Sequence, residues 1–324
     1  MHGRRFSPAH VSPRAWLRYE RGMTERRSCT HQQSSGLAVS LTPRDKEVLV
    51  ALARYPYLRA PYLHAFAGGR SEKRFVERLG LLFHEGYVDR PSEQWTLPDA
   101  RRRPALYEIG RRSRGAGTDE ARTFLGHGAR GQIEHSALLC AVIASFEIGC
   151  REIGTVRFIP WPEIRARAPG APEPFRLSGP DGAATVPDGV FGLEYSAPAG
   201  PHYRFFALEA DRGTMPISRA GAGTSLMEKF KRYETLVAHG ASRRQLGVSN
   251  LIVLTVTTSE ARALEIVRRA GDALHEPGRF LCMAVAEREL DRPAPALLSA
   301  PWQRFGLPAV TLSRVTSTQQ NLGC

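Results

Sequence analysis

The sequence has few cysteines, very little lysine and no long hydrophobic run. Its five cysteines are scattered, odd in number and form no C-x-x-C pair. This spacing argues against a disulfide framework or a zinc ribbon and predicts a reducing, cytoplasmic location. No window reaches the roughly 18 uninterrupted apolar residues of a membrane span, so we expect no integral membrane protein. The basic N-terminus has no apolar stretch behind it, so we expect no secretory signal.

Two common catalytic motifs are also absent. Without a G-x-S-x-G elbow the sequence disfavours a Ser/His/Asp hydrolase of the α/β type. Without a GxxxxGK[ST] loop it disfavours a P-loop nucleoside triphosphatase.

What the chain has in excess is arginine, which supplies 41 of the 45 basic residues. The formal net charge is +13 over 324 residues. Residues 1–120 contain 22 Lys and Arg against 13 Asp and Glu, whereas residues 121–324 contain 23 against 19. The positive surplus therefore lies mainly in the first third, as expected if that part meets a polyanion. Ordinary solubility and arginine-rich codon usage are the alternative.

Residues 1–40 are rich in Arg, Ser, His and Gln and show no apolar period, which predicts a basic disordered tail with Met23 as an alternative start. Residues 41–114 favour a winged helix-turn-helix domain. Thr42 and Pro43 are typical of a helix start, and further helices are predicted over Ala60–Phe66 and from Ser71. Two short strands then flank a basic tip at 99–104.

In this layout the third helix enters the major groove and the hairpin reaches the DNA backbone or the minor groove. Arginine and lysine contacts to phosphates strengthen binding by releasing counterions. We therefore predict a double-stranded DNA-binding surface on the outer side of the third helix and at the hairpin tip. Its residues are Arg70, Lys73, Arg74, Arg78, Arg101, Arg102 and Arg103. A solvated helix face is the alternative.

The remainder of the chain predicts a second domain of mixed α/β class. Residues 115–131 are glycine-rich and predict a linker. Residues 132–290 alternate helices and strands, with residues 160–184 expected to be an irregular loop. Residues 291–324 are rich in proline and polar residues and predict a loose C-terminal tail.

Acidic residues gather at one end of a predicted hairpin in this domain. Asp188 begins one strand, and Glu209 and Asp211 end its partner. Glu209 and Asp211 are two residues apart on a strand and so face the same side. Carboxylates on an apolar sheet face are costly unless they are paired or hold a cation. All three are therefore candidate ligands for Mg²⁺ or Mn²⁺.

The following helix offers a lysine to this group. At about 100° per residue, Lys229 lies near the edge of the apolar stripe, whereas Lys231 lies almost opposite it. Lys229 is thus the better candidate to neutralise the carboxylates or to stabilise charge on a phosphate. The alternative is that Asp188 and Asp211 belong to turns and that Lys229 forms an ordinary ion pair.

These residues resemble the signature of PD-(D/E)xK nucleases, which are restriction-endonuclease-like α/β proteins. Pro187-Asp188 and Glu209 match the signature, while Asp211 stands where the lysine normally lies. The resemblance implies that Lys229 supplies the amine from the next helix and that Glu134 is the additional acidic residue. It thus implies a catalytic set of Asp188, Glu209, Asp211, Lys229 and Glu134.

The whole chain over about residues 41–290 resembles the replication-relaxation family of plasmid, phage and mobile-element proteins. The resemblance rests on the Leu41–Asp45 helix start, Glu134-His135, Pro187-Asp188, the segment 208–214, and Lys229 with Tyr233. It implies a role in DNA replication or relaxation, with a homodimer or replication and mobilisation proteins as partners. A metal-dependent nicking nuclease and a non-catalytic DNA-binding regulator with a degenerate nuclease fold both fit. A protein-interaction module is a third alternative.

Overall fold

The computed structural model describes residues 28–34, 36, 39–96, 99–114, 133–168, 176–180, 182, 184–198, 200–219 and 225–314. The protein is of mixed α/β class, with helices on both faces of a five-stranded sheet and a smaller helical unit at its N-terminal side. The predicted linker 115–131 lies outside the described residues.

In its described residues the N-terminal unit has three α-helices, a three-stranded sheet and short 3-10 turns. Helix α1 (Pro43–Arg54), strand β1 (Leu58–Arg59), helices α2 (Ala60–Ala67) and α3 (Glu72–His84), and strands β2 (Val88–Asp89) and β3 (Leu106–Ile109) follow in order. β3 is the central strand and pairs antiparallel with both β1 and β2. β1 was not predicted, because it has only two residues and exists through its pairing with β3.

Local capping explains where α1 and α3 begin. The Thr42 hydroxyl accepts a hydrogen bond from the Asp45 amide, and the Asp45 carboxylate accepts one from the Thr42 amide. This reciprocal arrangement satisfies two amides that a helix start leaves without partners. Ser71 caps α3 by a single hydrogen bond, which its hydroxyl accepts from the Arg74 amide.

The larger unit begins with a long buried helix, α4 (Ile133–Ile153). Strand β4 (Val156–Ile159), helix α5 (Trp161–Arg167) and the short strands β5 (Leu177–Ser178) and β6 (Ala184–Thr185) follow. Then come β7 (Gly189–Tyr195), β8 (His202–Asp211), α6 (Leu226–Ala238), α7 (Ala241–Leu246), β9 (Leu251–Thr257), α8 (Glu260–Ala273), β10 (Phe280–Ala284) and α9 (Ala296–Ser299).

The five-stranded sheet has the order β10-β9-β8-β7-β4. β4, β7 and β8 are antiparallel neighbours, and β8, β9 and β10 are parallel. α4 crosses one face so closely that a Cβ on Gly189 would lie 2.9 Å from the Ile143 side chain. Side chains alternate along β8, so Leu208 points to this face and Glu209 points to the opposite face, under α6.

Helix α4 is, among the described residues, the one helix long and apolar enough to cross a membrane by length and composition. However, 72% of its most apolar stretch is buried inside the protein. It packs between the sheet and the N-terminal unit, where Glu147 accepts hydrogen bonds from Arg54 at 2.8 Å and Tyr55 at 2.6 Å. The packing is that of a core helix.

Two predictions about irregular segments were wrong. Residues 160–184 contain α5, β5 and β6 rather than a loop without regular structure. Residues 291–314 are packed rather than loose: Trp302 is fully buried beside Phe146, and Gln303 bridges to Cys282 of β10. In both segments tertiary burial orders residues that lack a local pattern. Of the predicted N-terminal tail, residues 1–27 lie outside the described residues, and the exposed Ser34 donates a hydrogen bond to Glu85 at 2.7 Å.

Candidate functional site

Asp188 and Glu209 meet at the end of the β7–β8 hairpin. The Asp188 amide donates to the Leu208 carbonyl at 3.1 Å, which extends the ladder one residue beyond β7. The Asp188 carboxylate accepts a hydrogen bond from the Ala210 amide at 2.9 Å. The backbone of β8 therefore holds the Asp188 side chain beside the residue that follows Glu209.

The Glu209 carboxylate is buried and has two partners from α6. Lys229 Nζ donates to one oxygen, and the Tyr233 hydroxyl donates to the other. The helix is set by the Ser225 cap and by a buried stripe that includes Phe230 and Tyr233. Lys231 is exposed on the other side of α6. The angular argument from sequence thus selected the lysine that contacts the carboxylate.

His135 adds a group that the candidate site set did not contain. It lies in the first turn of α4, and its Nε2 is 3.5 Å from Asp188 Oδ1. Its side chain is 18% exposed, close to the 23% of Asp188. In the sequence, His135 was indicated only as part of the Glu134-His135 segment of the family resemblance, with no role assigned to it. Tyr233 was likewise named only as part of the resemblance, and its hydrogen bond to Glu209 was not predicted.

The pKa values of the two carboxyl groups in this cluster shift in opposite directions. Burial raises the pKa of Glu209 to about 7, although the nearby Lys229 ammonium opposes the rise. Burial also disfavours ionisation of Asp188, but the His135 hydrogen bond and the Lys229 charge outweigh it and lower its pKa. Burial works against the Lys229 charge, yet the two carboxylates raise its pKa overall. At neutral pH Asp188 is therefore ionised, whereas Glu209 is only partly ionised beside the Lys229 ammonium.

The structure does not bring Asp211, the third predicted metal ligand, into this cluster, because its carboxylate is held by other partners. Arg262 of α8 binds both of its oxygens, one of them at 2.9 Å. The Thr257 hydroxyl donates to it at 2.7 Å, and the Gly213 amide donates at 3.2 Å. The sequence correctly placed Asp211 on the same face as Glu209, but it gave no sign of an arginine 51 residues away. Asp211 is a structural anchor between β8 and α8.

Glu134 is engaged in a different ion pair. Its carboxylate accepts a hydrogen bond from Arg212, the residue after β8. Both side chains remain about one-quarter exposed. The residue of this turn that lies against the Asp188 carboxylate is therefore His135, and Glu134 beside it binds Arg212 instead.

Two of the predicted DNA-binding residues are held by carboxylates within the protein, and the other five are exposed, of which Arg102 also pairs with Asp99 at 3.8 Å. Arg78 binds Asp45 at 2.6 and 3.1 Å, and Arg103 binds Asp291 at 2.7 Å. Because these two guanidinium groups are held by carboxylates, they are poor candidates for phosphate contacts. The others are exposed: Arg70, Lys73, Arg74, Arg101 and Arg102.

The predicted Mg²⁺ or Mn²⁺ site requires side chains that can together bind a metal ion. Within the described part of the chain, no group of three His, Cys, Asp or Glu side chains is placed to hold a metal ion. Asp188 and Glu209 remain as a pair. Two carboxylates are a ligand number that Mg²⁺ uses in proteins, since it keeps several waters and also binds phosphate oxygens.

Comparisons with known proteins add no assignment. No protein-family model matches the chain, and neither the curated proteins nor the solved structures contain a match. The geometry of the site is therefore the basis for the functional proposal.

Proposed function

We propose that this chain is a DNA-binding protein with a phosphodiester-cleaving centre at Asp188, Glu209 and Lys229. The observation that carries the proposal is the buried Lys229–Glu209 contact beside Asp188 at one end of a sheet. Two carboxylates on neighbouring strands, with an amine against one of them, are what the resemblance to PD-(D/E)xK nucleases implies. The membership in the replication-relaxation family is part of the same proposal.

The N-terminal unit is the proposed DNA-binding domain, with the winged helix-turn-helix layout. Support comes from the order of three helices and a small antiparallel sheet and from the exposed basic residues of α3. Arg70, Lys73 and Arg74 lie at the start of that helix, where they are free to contact phosphates. Such contacts make binding weaker as salt concentration rises.

Each residue of the proposed centre has a distinct role. Asp188 and Glu209 would hold a divalent cation, whose contribution when bound is to polarise the phosphodiester and lower the pKa of a coordinated water. Lys229 stabilises negative charge on the phosphate, since its ammonium is preorganised by Glu209. Tyr233 fixes the Glu209 carboxylate by a hydrogen bond from a fully buried hydroxyl.

Supercoiled plasmid incubated with Mg²⁺ or Mn²⁺ tests the proposal. The wild type is expected to nick or linearise the plasmid, and Asp188→Asn and Glu209→Gln are expected to abolish this. Glu194→Gln is the matched control, because Glu194 lies on the same hairpin but is bound to Arg157 at the surface. Equal cleavage by all four proteins would exclude the assignment.

A non-catalytic DNA-binding regulator is the second candidate function. The contacts of the Glu209 carboxylate favour this alternative. Both of its oxygens already accept hydrogen bonds, from Lys229 and from Tyr233, so the carboxylate has less capacity left to bind a metal ion. This alternative predicts salt-sensitive duplex binding in a gel-shift assay, with no cleavage in Mg²⁺ or Mn²⁺ by any of the proteins.

A further inference from the structure

The outer face of α3 carries a carboxylate where a purely phosphate-binding surface would carry none. Counting about 100° per residue, Lys73, Glu77 and Gly80 fall within about 60° of one another on this face. They lie opposite Phe75, Leu79 and Leu82, which are buried in the core. Glu77 is therefore at the centre of the face that α3 presents outward.

Glu77 is exposed, and no described residue forms an ion pair or hydrogen bond with its carboxylate. Glu72 of the same helix differs, because it accepts a hydrogen bond from Arg292 at 3.3 Å. Arg70, Lys73 and Arg74 precede Glu77 in sequence and are also exposed. A free carboxylate among them weakens attraction to phosphates, so non-specific DNA binding gives it no role.

The edge of a DNA base can provide a hydrogen-bond donor for such a carboxylate. In the major groove cytosine presents its N4 amino group, which Asp and Glu side chains accept, while flanking basic residues position the helix on phosphates. Two neighbours favour close approach to the bases. Gly80 has open space around the position of a Cβ, and Val76 is 40% exposed, as an apolar contact to a thymine methyl group requires.

We propose that Glu77 accepts a hydrogen bond from the N4 amino group of a cytosine in the major groove and makes α3 a sequence-reading helix. The inference rests on the proposed DNA binding and names the feature of the DNA that this face recognises. It predicts that the protein prefers particular duplexes rather than any duplex of sufficient length.

Selection of bound duplexes from a randomised pool by the full chain tests the inference. The wild type is expected to enrich a cytosine at one position. Glu77→Ala is expected to bind bulk DNA at least as tightly while losing the advantage of that cytosine by roughly tenfold or more. Glu77→Gln is expected to shift the preference to adenine, because glutamine pairs with the adenine N6 and N7 atoms.

Glu47→Ala is the matched control, since Glu47 is an exposed glutamate of α1 and its loss changes the net charge equally. It is expected to keep the cytosine preference. Salt-sensitive binding without any preference in the wild type, or an unchanged preference in Glu77→Ala, would overturn the inference and leave the proposed DNA binding intact. Absence of duplex binding by the wild type would overturn both.

Discussion

Lys229 of α6 donates a hydrogen bond to the Glu209 carboxylate of β8, which lies 20 residues earlier in the chain. The position that normally carries the lysine in the pattern, Asp211, is instead bound by Arg262. The ammonium therefore reaches the carboxylate from the neighbouring helix, and the strand position is used to attach α8 to the sheet.

Tyr233→Phe tests how far the Glu209 carboxylate depends on its buried donor. Removal of the hydroxyl leaves a buried oxygen without a partner, and hydrogen bonds to charged groups contribute about 1.5–3 kcal/mol. We expect the free energy of unfolding in urea to fall by this amount. A variant as stable as the wild type would show that the contact contributes little.

The Asp211–Arg262 pair is expected to act as a structural unit. Asp211→Ala and Arg262→Ala should each reduce the free energy of unfolding by about 2–3 kcal/mol, below the range for fully buried pairs because Arg262 is partly exposed. The double variant should lose less than the sum, with a coupling of about 0.5–3 kcal/mol. Additive losses in denaturant titrations would contradict this assignment.

Arg74 and Arg78 form a matched pair on α3. Arg74 is exposed, so Arg74→Ala should weaken duplex binding and lower the slope of log affinity against log salt by about 1. Arg78 is bound to Asp45, so Arg78→Ala should destabilise the protein with little change in that slope. The opposite pattern in salt-titrated binding would place the DNA contact at Arg78.

Asp45 provides a pH-dependent test of the N-terminal unit. Burial opposes its ionisation, but hydrogen bonds from Arg78 and Thr42 outweigh this and lower its pKa. Because the folded pKa lies below the unfolded value of about 3.9, the stabilisation is complete above that value and is lost as pH falls through the folded pKa.

We therefore expect Asp45→Asn to be less stable than the wild type at pH 7 by about 1.5–3 kcal/mol, the usual contribution of hydrogen bonds to charged groups, because asparagine lacks the charge that Arg78 binds. The difference should shrink as the pH of the measurement falls below about 3.9, because the unfolded state then takes up a proton at Asp45 more readily than the folded state does. A difference that does not vary with pH would mean that the carboxylate charge has no part in the stabilisation.

Local chemistry accounts for the features of the fold that were predicted. The Thr42 and Ser71 caps, the buried stripe of α3 and the β7–β8 hairpin each depend on residues close together in sequence. The mixed α/β class followed from the alternation of such elements. The two-residue strand β1 has no comparable pattern, since it exists only through its pairing with β3.

Long-range partners account for what was missed. The position of Asp211 in its strand predicted which face of the sheet its side chain lies on. It did not predict the partner, because Arg262 comes from a helix 51 residues later in the chain. Arg103 was assigned to a free hairpin tip because Asp291 is 188 residues away in sequence. Trp302 was placed in a loose tail, because the prolines around it predict irregular structure whether the tryptophan is buried or not.

Cleavage of a supercoiled plasmid in Mg²⁺ by Lys229→Ala and Lys231→Ala tests the central claim most directly. The two variants remove the same charge from the same helix, but only Lys229 contacts Glu209. We expect Lys231→Ala to cleave like the wild type and Lys229→Ala to lose activity by about two orders of magnitude, as when one charge-stabilising donor is removed. Equal activity in the two variants would contradict the account.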